Sequence, residues 1–234
     1  MKKLFLCLAI YLCSSAVVMA QPSALLGELG AEPDDITALR TARALREYTR
    51  EDFGDRDREL LADIIANEEI PHRDEYFLLA GYLGMNEALS NVSLESLTTS
   101  KLLRSHGLAM VRAGDPNKAN QLLMDIREVE YGDAFVYDLA PLLVYTRDRA
   151  VFDLLIERLL TSNLNCDPPN PHVNGKIDCG YRLMEALAPV LVDFPFEVGI
   201  SGDLETDDYP AALVEVRNWL RALGDAYNII EDTF

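Results

Sequence analysis

Long apolar runs are missing from this 234-residue chain once its first twenty residues are passed. Nothing after that point is long and apolar enough for a bilayer-spanning helix. Histidine is scarce, with three residues, and there is a single tryptophan. His72, His106 and His172 form no pair at a metal-binding helical spacing, and HExxH is absent. The phosphate-cradling P-loop, the GxGxxG turn and the GxSxG elbow are absent too. These gaps remove the linear signatures of zinc hydrolases, nucleotide binders and serine hydrolases. Positive charge is also short: 21 Lys and Arg stand against 39 Asp and Glu, a net charge of −18. Nucleic acid and anionic lipid both need a positive surface, so the balance argues against either as a partner. A cationic partner, or plain solubility, fits it instead.

What is present begins with MKKLFLCLAIYLCSSAVVMA. Lys2 and Lys3 make a short basic region, Leu4 to Leu12 an apolar run, and Val18 and Ala20 occupy the −3 and −1 positions before Gln21. This three-part pattern reads as a cleavable signal peptide over 1–20, of the short bacterial kind. A lipoprotein signal wants a small residue before its cysteine, whereas Cys7 follows Leu6 and Cys13 follows Leu12. The expected product, 21–234, is periplasmic or secreted, with no stable membrane insertion after cleavage. Cys7 and Cys13 leave with the leader, so Cys166 and Cys179 remain as an even pair in an oxidising compartment.

Strand alternation is hard to find, and helical spacing recurs throughout. Asp34 and Asp35 precede Ile36, Leu39, Ala42, Leu45 and Tyr48. Asp57, Asp74, Asp133 and Asp148 each precede an apolar stripe. Leu102, Leu103, His106, Ala109 and Met110 form a stripe that ends at Gly114. Asp115 followed by Pro116 is a cap and a first-turn proline, a strong helix start. The last helix is expected from Asp207 and Asp208, with a seam of Leu213, Val216, Leu220, Leu223 and Tyr227. The total is about nine to eleven helices with short links.

A repeat lies under this pattern. LAGYLG at 79–84, LAMVRAG at 108–114, LAPLLV at 139–144 and LAPVLV at 187–192 recur along it. Asp115 and Asp148 open second helices after the middle two, and the spacing is widest across the cysteine-bounded stretch. One helix pair cannot bury its apolar face alone, so neighbours must stack. Leu139-Ala140-Pro141, then Asp148 and the apolar helix Val151–Leu160, resemble a unit of the HEAT or armadillo-like helical repeats. Leu187-Ala188-Pro189 resembles the start of another. The likeness covers about 70–227. It implies an α-α superhelix whose concave face binds other proteins, although such a fold can also host enzymes.

CDPPNPHVNGKIDC at 166–179 interrupts the helices. Cys166, His172, Asp178 and Cys179 could be metal ligands, but structural zinc uses cysteines two to four apart and in repeated pairs. A thioredoxin-like motif needs two intervening residues. Neither spacing is met. A disulfide accounts for the pair, with Pro168, Pro169, Pro171 and Gly175 opposing helix. Closing such a loop contributes about 3 kcal/mol through chain entropy. An insertion on one face of an array is also a place for binding, through Asn170 and His172.

Other signals are thinner. Ser105-His106 are adjacent and do not face each other on a helix. His106 lies on an apolar stripe and reads as a core histidine. GISGD at 199–203 is not a nucleophile elbow. A calcium loop starting at Asp203 would have Asp208 and Val214 where glycine and glutamate belong. Asn91-Val92-Ser93 fits a glycosylation sequon. Arg40, Arg43, Arg46 and Arg50 gather on the first helix, suited to an acidic neighbouring helix or another protomer. From Phe194 to Phe234 there are nine acidic and two basic residues. Tyr209, Trp219, Tyr227 and Phe234 lie in the same stretch, where terminal packing accounts for most of them.

The expected fold class is all-α, an α-α superhelix with one disulfide-stapled loop insertion. Residues 21–234 form a single domain with an irregular loop at 163–178. The expected function is an exported protein–protein interaction module without catalysis, which requires no cofactor or metal. Contact is assigned to Asp203, Glu205, Asp207, Asp208, Trp219, Asn170 and His172, on the concave or the C-terminal acidic surface, toward a basic protein. An inhibitor or immunity-like protein covering a basic secreted enzyme is a variant of this. A permanently bound structural part of the cell envelope is another reading. A metal-assisted hydrolase, with a carboxylate and histidine site assembled by the fold, is the alternative from a different class.

Overall fold

The structure is a computed structural model that describes residues 21–29, 33–169, 172 and 174–234. The leader 1–20 and Asn170 lie outside the described residues. Within them the chain is all-α, with α1 (Pro22–Gly27), α2 (Asp35–Leu45), α3 (Asp55–Ala66), α4 (Arg73–Tyr82), α5 (Asn86–Ser90), α6 (Ser100–Arg112), α7 (Pro116–Arg127), α8 (Ala140–Tyr145), α9 (Arg149–Leu160), α10 (Gly180–Leu187) and α11 (Tyr209–Leu223). Extended pairing among the described residues is limited to isolated bridges: Cys166 with Ile177, Leu191 with Ile229, and Val198 with Leu204.

Several helix starts follow the expected chemistry. The Asp34 carboxylate accepts from Thr37 N–H at 2.9 Å. Asp115 accepts from the amides of Asn117 and Lys118, and Asp148 from those of Ala150 and Val151. Each such cap is worth about 1 kcal/mol. Three aspartates do other work. Asp57 is not the cap of α3 but reaches back to the Gly54 amide at 2.8 Å. Asp74 pairs with Lys101 at 2.8 Å. Asp133 accepts from the Asp167 amide in the cysteine-bounded loop, and a π-helical turn at Phe135–Leu139 leads into α8. At the other end, α11 stops at Leu223, and the apolar seam does not run on in helix to Tyr227.

The helices sort by neighbour. α4 lies against α6, α6 against α8 and α8 against α10, while α3 meets α5, α7 meets α9 and α9 meets α11. Left-handed residues follow α4, α6 and α8, at Gly84, Gly114 and Arg147, and a fourth, Asp193, follows the 3-10 turn after α10. At the first two, the Met85 amide bonds Ala80 O at 2.9 Å and the Asp115 amide bonds Met110 O at 3.0 Å, closing a Schellman turn.

Burial falls into two cores. Leu45, Leu61, Ile65, Tyr76, Phe77 and Leu79 belong to the first. Phe135, Leu143, Phe152, Leu155, Leu187 and Val216 belong to the second. Not every stripe position is buried: Ile36 is 77% and Leu103 51% exposed. Helices α6 and α8 join the two cores. There Tyr145 donates from its hydroxyl to Leu78 O at 2.5 Å. The Arg112 guanidinium donates to Tyr145 O at 2.7 Å.

The closest helix approach is α4 on α6. A Cβ on Gly81 would lie 2.6 Å from Ala109 Cα, 2.7 Å from Ala109 O and 2.5 Å from the Tyr145 hydroxyl. Two of those atoms are backbone and cannot move aside. Gly81→Ala should therefore destabilise the fold by about 2 kcal/mol through overpacking, despite the better helix propensity of alanine. Urea unfolding of the purified variant measures it.

Candidate functional site

The loop between α9 and α10 is closed three ways. Cys166 and Cys179 form a disulfide. The amide of Ile177 bonds Cys166 O at 2.8 Å, and that of Cys179 bonds Asn163 O at 2.9 Å. Neither cysteine is thus a thiolate ligand. Asp178, also weighed as a ligand, is engaged elsewhere: Arg217 donates to its two oxygens at 3.0 and 2.8 Å, Ser162 at 3.2 Å and the Gly180 amide at 2.8 Å. Arg217 continues to Leu159 O at 2.7 Å, tying the loop to α9 and α11. Breaking a buried pair of this kind leaves a naked charge, which makes the loop's foot rigid.

A second interruption, 194–208, also reaches α10, where Asp203 lies 3.8 Å from Arg182. The Gly199 amide bonds Asp203 O at 2.9 Å, and the Glu205 amide bonds Glu197 O at 3.0 Å, giving a short doubled-back arm. The two interruptions enclose a cleft of about 490 Å³ lined by Pro169, Ile177, Tyr181, Arg182, Glu185, Asp203, Tyr209 and Pro210. Tyr181, Arg182 and Glu185 come from one face of α10, at the i, i+1, i+4 spacing. Arg182 donates to Glu185 Oε2 at 2.8 Å and to the Tyr137 hydroxyl at 3.1 Å, and lies 3.8 Å from Asp203. Tyr209 donates to Glu185 Oε1 at 2.8 Å. The Tyr181 and Tyr209 rings meet edge to face at 6.3 Å.

Burial, then the bond to Glu185 and its negative charge, push the Tyr209 hydroxyl up to about 12. Arg182 is raised as well: burial opposes its charge, but the bonds to Glu185 and Tyr137 outweigh it. Both oxygens of Glu185 are therefore engaged by donors that hold their protons. The cleft offers aromatic edges, one guanidinium and a carboxylate rim, which is recognition chemistry more than proton transfer. Among the described residues no three of His, Cys, Asp and Glu gather around a common point.

The sequence-assigned residues fare differently. Asp203 lines the cleft. Glu205 and Asp207 are exposed on the arm. Asp208 is exposed too, but its carboxylate caps α11 through the Ala211 amide at 2.9 Å. His172 is exposed in the stapled loop. Trp219 is half-buried with its ring 5.5 Å from Phe194, so it fastens the arm to α11 instead of offering a free face. Tyr181, Arg182 and Glu185 went unassigned. Their only signal was the polar face of the helix that follows Cys179.

The other arrays also resolve. Within the arginine array, Arg46 pairs with Glu75 inside the chain, and Arg50 lies over the Tyr82 ring at 5.0 Å. Phe234 packs not with the C-terminal helix but against Tyr82 and Tyr145, each at 5.7 Å.

Comparison with known protein families, curated proteins and solved structures returned no match. The functional reading therefore stands on the chain's own geometry.

His106 settles into the core as its stripe position suggested, with Nε2 2.9 Å from Leu89 O and its ring 5.3 Å from Phe77. Burial holds it neutral and lowers its pKa below the ordinary 6.5. As pH falls through about 6.5 the unfolded chain takes up this proton and the folded one does not. Stability should be flat above that value and decline below it, ahead of carboxylate protonation. His106→Gln should remove the decline between about pH 6.5 and 5, read from urea midpoints across that range.

Proposed function

We propose that this chain is an exported protein-binding module built on stacked helix pairs of the armadillo-like kind. Its contact surface is the cleft and rim where the stapled loop and the 194–208 arm meet over α10. The partner is a basic protein. One observation carries the reading: the two insertions that break the helical array converge on a single face of α10. There they make a rigid cleft with a soft acidic edge. The arm holds Glu197, Asp203, Glu205, Asp207 and Asp208 with no lysine or arginine.

The division of labour follows from the chemistry. Tyr181, Tyr209 and Arg182 are the residue types that dominate interface energies, and here they are fixed in place by Glu185 and by each other. Pro169 and Ile177 give the cleft an apolar wall, Ile177 being held by its bond to Cys166 beside the disulfide, which lowers the conformational entropy lost there on docking. Asp203, Glu205 and Asp207 act at longer range, drawing in and orienting a basic surface. The helical layers are the scaffold that sets these pieces, and the alternation of helix neighbours supports the stacked-pair reading.

The test separates charge from fold. Asp203→Lys with Asp207→Lys avoids Asp208, whose cap would be lost. The double variant should keep the wild-type circular dichroism and melting temperature. It should bind a basic protein captured from envelope or culture-fluid extract about tenfold or more weakly, with a reduced salt dependence. Unchanged affinity and salt dependence would contradict the reading.

A further inference from the structure

After α11 the chain turns back and runs along the seam between the two cores. Tyr227 is still part of the second core, its hydroxyl donating to Asp153 at 2.6 Å, and the residues after it, 228–234, are held largely through their main chain. The Tyr227 carbonyl accepts from Arg149 at 2.9 Å and that of Ile230 from Arg147 Nε at 2.9 Å. Glu231 O and Thr233 O accept from Arg112 Nη2 at 2.7 and 3.1 Å. Asp232 O accepts from the Tyr82 hydroxyl at 3.1 Å. On its other edge the segment pairs with 190–192: the Ile230 amide bonds Val190 O at 2.9 Å, and the Val192 amide bonds Asn228 O at 3.0 Å. This is strand addition on one side and, on the other, a row of side-chain donors that the segment's carbonyls accept from.

Side chains contribute at the far end. Phe234 sits between the Tyr82 and Tyr145 rings with the Arg46 guanidinium 4.4 Å from its centroid. Glu231 and Asp232 point outward and are exposed. Arg112 and Arg147 are buried, at 8% and 7% exposure; Arg147 also donates to Phe234 O at 3.4 Å, and the negative charge of Glu231 acts on both. In a chain of net charge −18 this seam is a concentrated positive site. Beside Thr233 and Phe234 the groove continues as an open cavity of about 550 Å³ walled by Leu78, Leu108, Pro141, Leu142 and Pro189.

Donors that read carbonyls do not depend on which side chains those carbonyls belong to. We propose that the seam is a peptide-binding groove in which residues 228–234 are the resident ligand. In their place it takes an extended acidic segment of a partner protein, an acidic pair followed by an aromatic residue. This surface is separate from the cleft over α10 and does not depend on that reading. The occupant's chemistry comes from the resident: backbone carbonyls for Arg112, Arg147 and Tyr82, the negative charge that Glu231 now brings to the two buried guanidiniums, and a ring for the Tyr82–Tyr145 slot.

The probe is a fluorescein-labelled peptide, Asn-Ile-Ile-Glu-Asp-Thr-Phe, matching 228–234. It is titrated by anisotropy into the full chain and into the full chain carrying Phe234→Ala. A tethered resident competes at high effective concentration, so loosening it should tighten peptide binding by about tenfold or more. Peptides with the phenylalanine changed to alanine, or the acidic pair to lysine, should lose that affinity. No binding to a folded Phe234→Ala chain, equal binding to both chains, or equal binding of the lysine peptide overturns the proposal. Dimer formation by the variant without peptide uptake also overturns it, in favour of exchange between copies. Amide exchange on the unaltered chain guards against a variant that does not fold. The Ile230 amide should exchange through a local opening, faster than the amides of α6 and α8. Exchange of all three only through global unfolding makes the segment a fixed part of the fold and overturns the proposal.

Discussion

Arg112 stands where two hydrophobic cores meet, and its guanidinium reaches only neutral oxygens. It takes Tyr145 O from α8 and the Glu231 and Thr233 carbonyls from the returning segment. Arg147 reaches Val144 O, Ile230 O and the Thr233 hydroxyl, and Phe234 O at 3.4 Å. Burial, and for Arg112 also the neighbouring charge of Arg147, lower both groups to about 10, so both stay charged at neutral pH. A buried charge held mainly by neutral oxygens is tolerable only when their dipoles are fixed around it. The carbonyls supply those dipoles only while the groove along α6 and α8 is filled, as it is here by 228–234. The two cores are thereby coupled, although their buried apolar residues fall into separate clusters.

Arg147 shows how closely backbone and side chain are tied here. Its φ of 51° puts a non-glycine residue in the left-handed region, as glycine does at 84 and 114. That conformation costs about 1 kcal/mol for a residue with a Cβ. Glycine suffices where the turn is the only requirement. At 147 the turn also has to deliver a guanidinium to the seam, and its charged hydrogen bonds outweigh the strain. The same economy appears in the cleft, where Asp178 ties the stapled loop to Arg217 while Glu185 orders Arg182 and Tyr209.

Legibility in the sequence follows the range of the interaction. Asp34, Asp115, Asp148 and Asp208 cap within three residues, and all were readable. The Cys166–Cys179 bridge was readable because the spacing of the two cysteines and the prolines between them left few other uses. Asp74 and Asp133 carry the same local pattern but pair instead with Lys101 and with the Asp167 amide, which no short window contains. The stripe predicted Ile36 and Leu103 as buried, yet periodicity cannot say which end of a stripe lies beyond its neighbours. The α10 face was hidden because Tyr181, Arg182 and Glu185 share a cleft only once the loops on either side of α10 fold back toward it. The seam was least legible of all: Phe234 belongs in sequence to the C-terminal helix and in space to Tyr82 and Arg46.

The coupling of the two cores can be measured through one natural probe. Trp219 is the only tryptophan and packs against the second core, so its fluorescence reports that half, while far-UV circular dichroism reports every helix. In urea the two signals should give one superimposable transition for the unaltered chain. Arg147→Gly keeps the left-handed turn and removes the guanidinium. In that variant the two transitions should separate, with Trp219 reporting its own core. Superimposable transitions in both chains would contradict the claim that the buried arginines and the segment 228–234 bind the halves together.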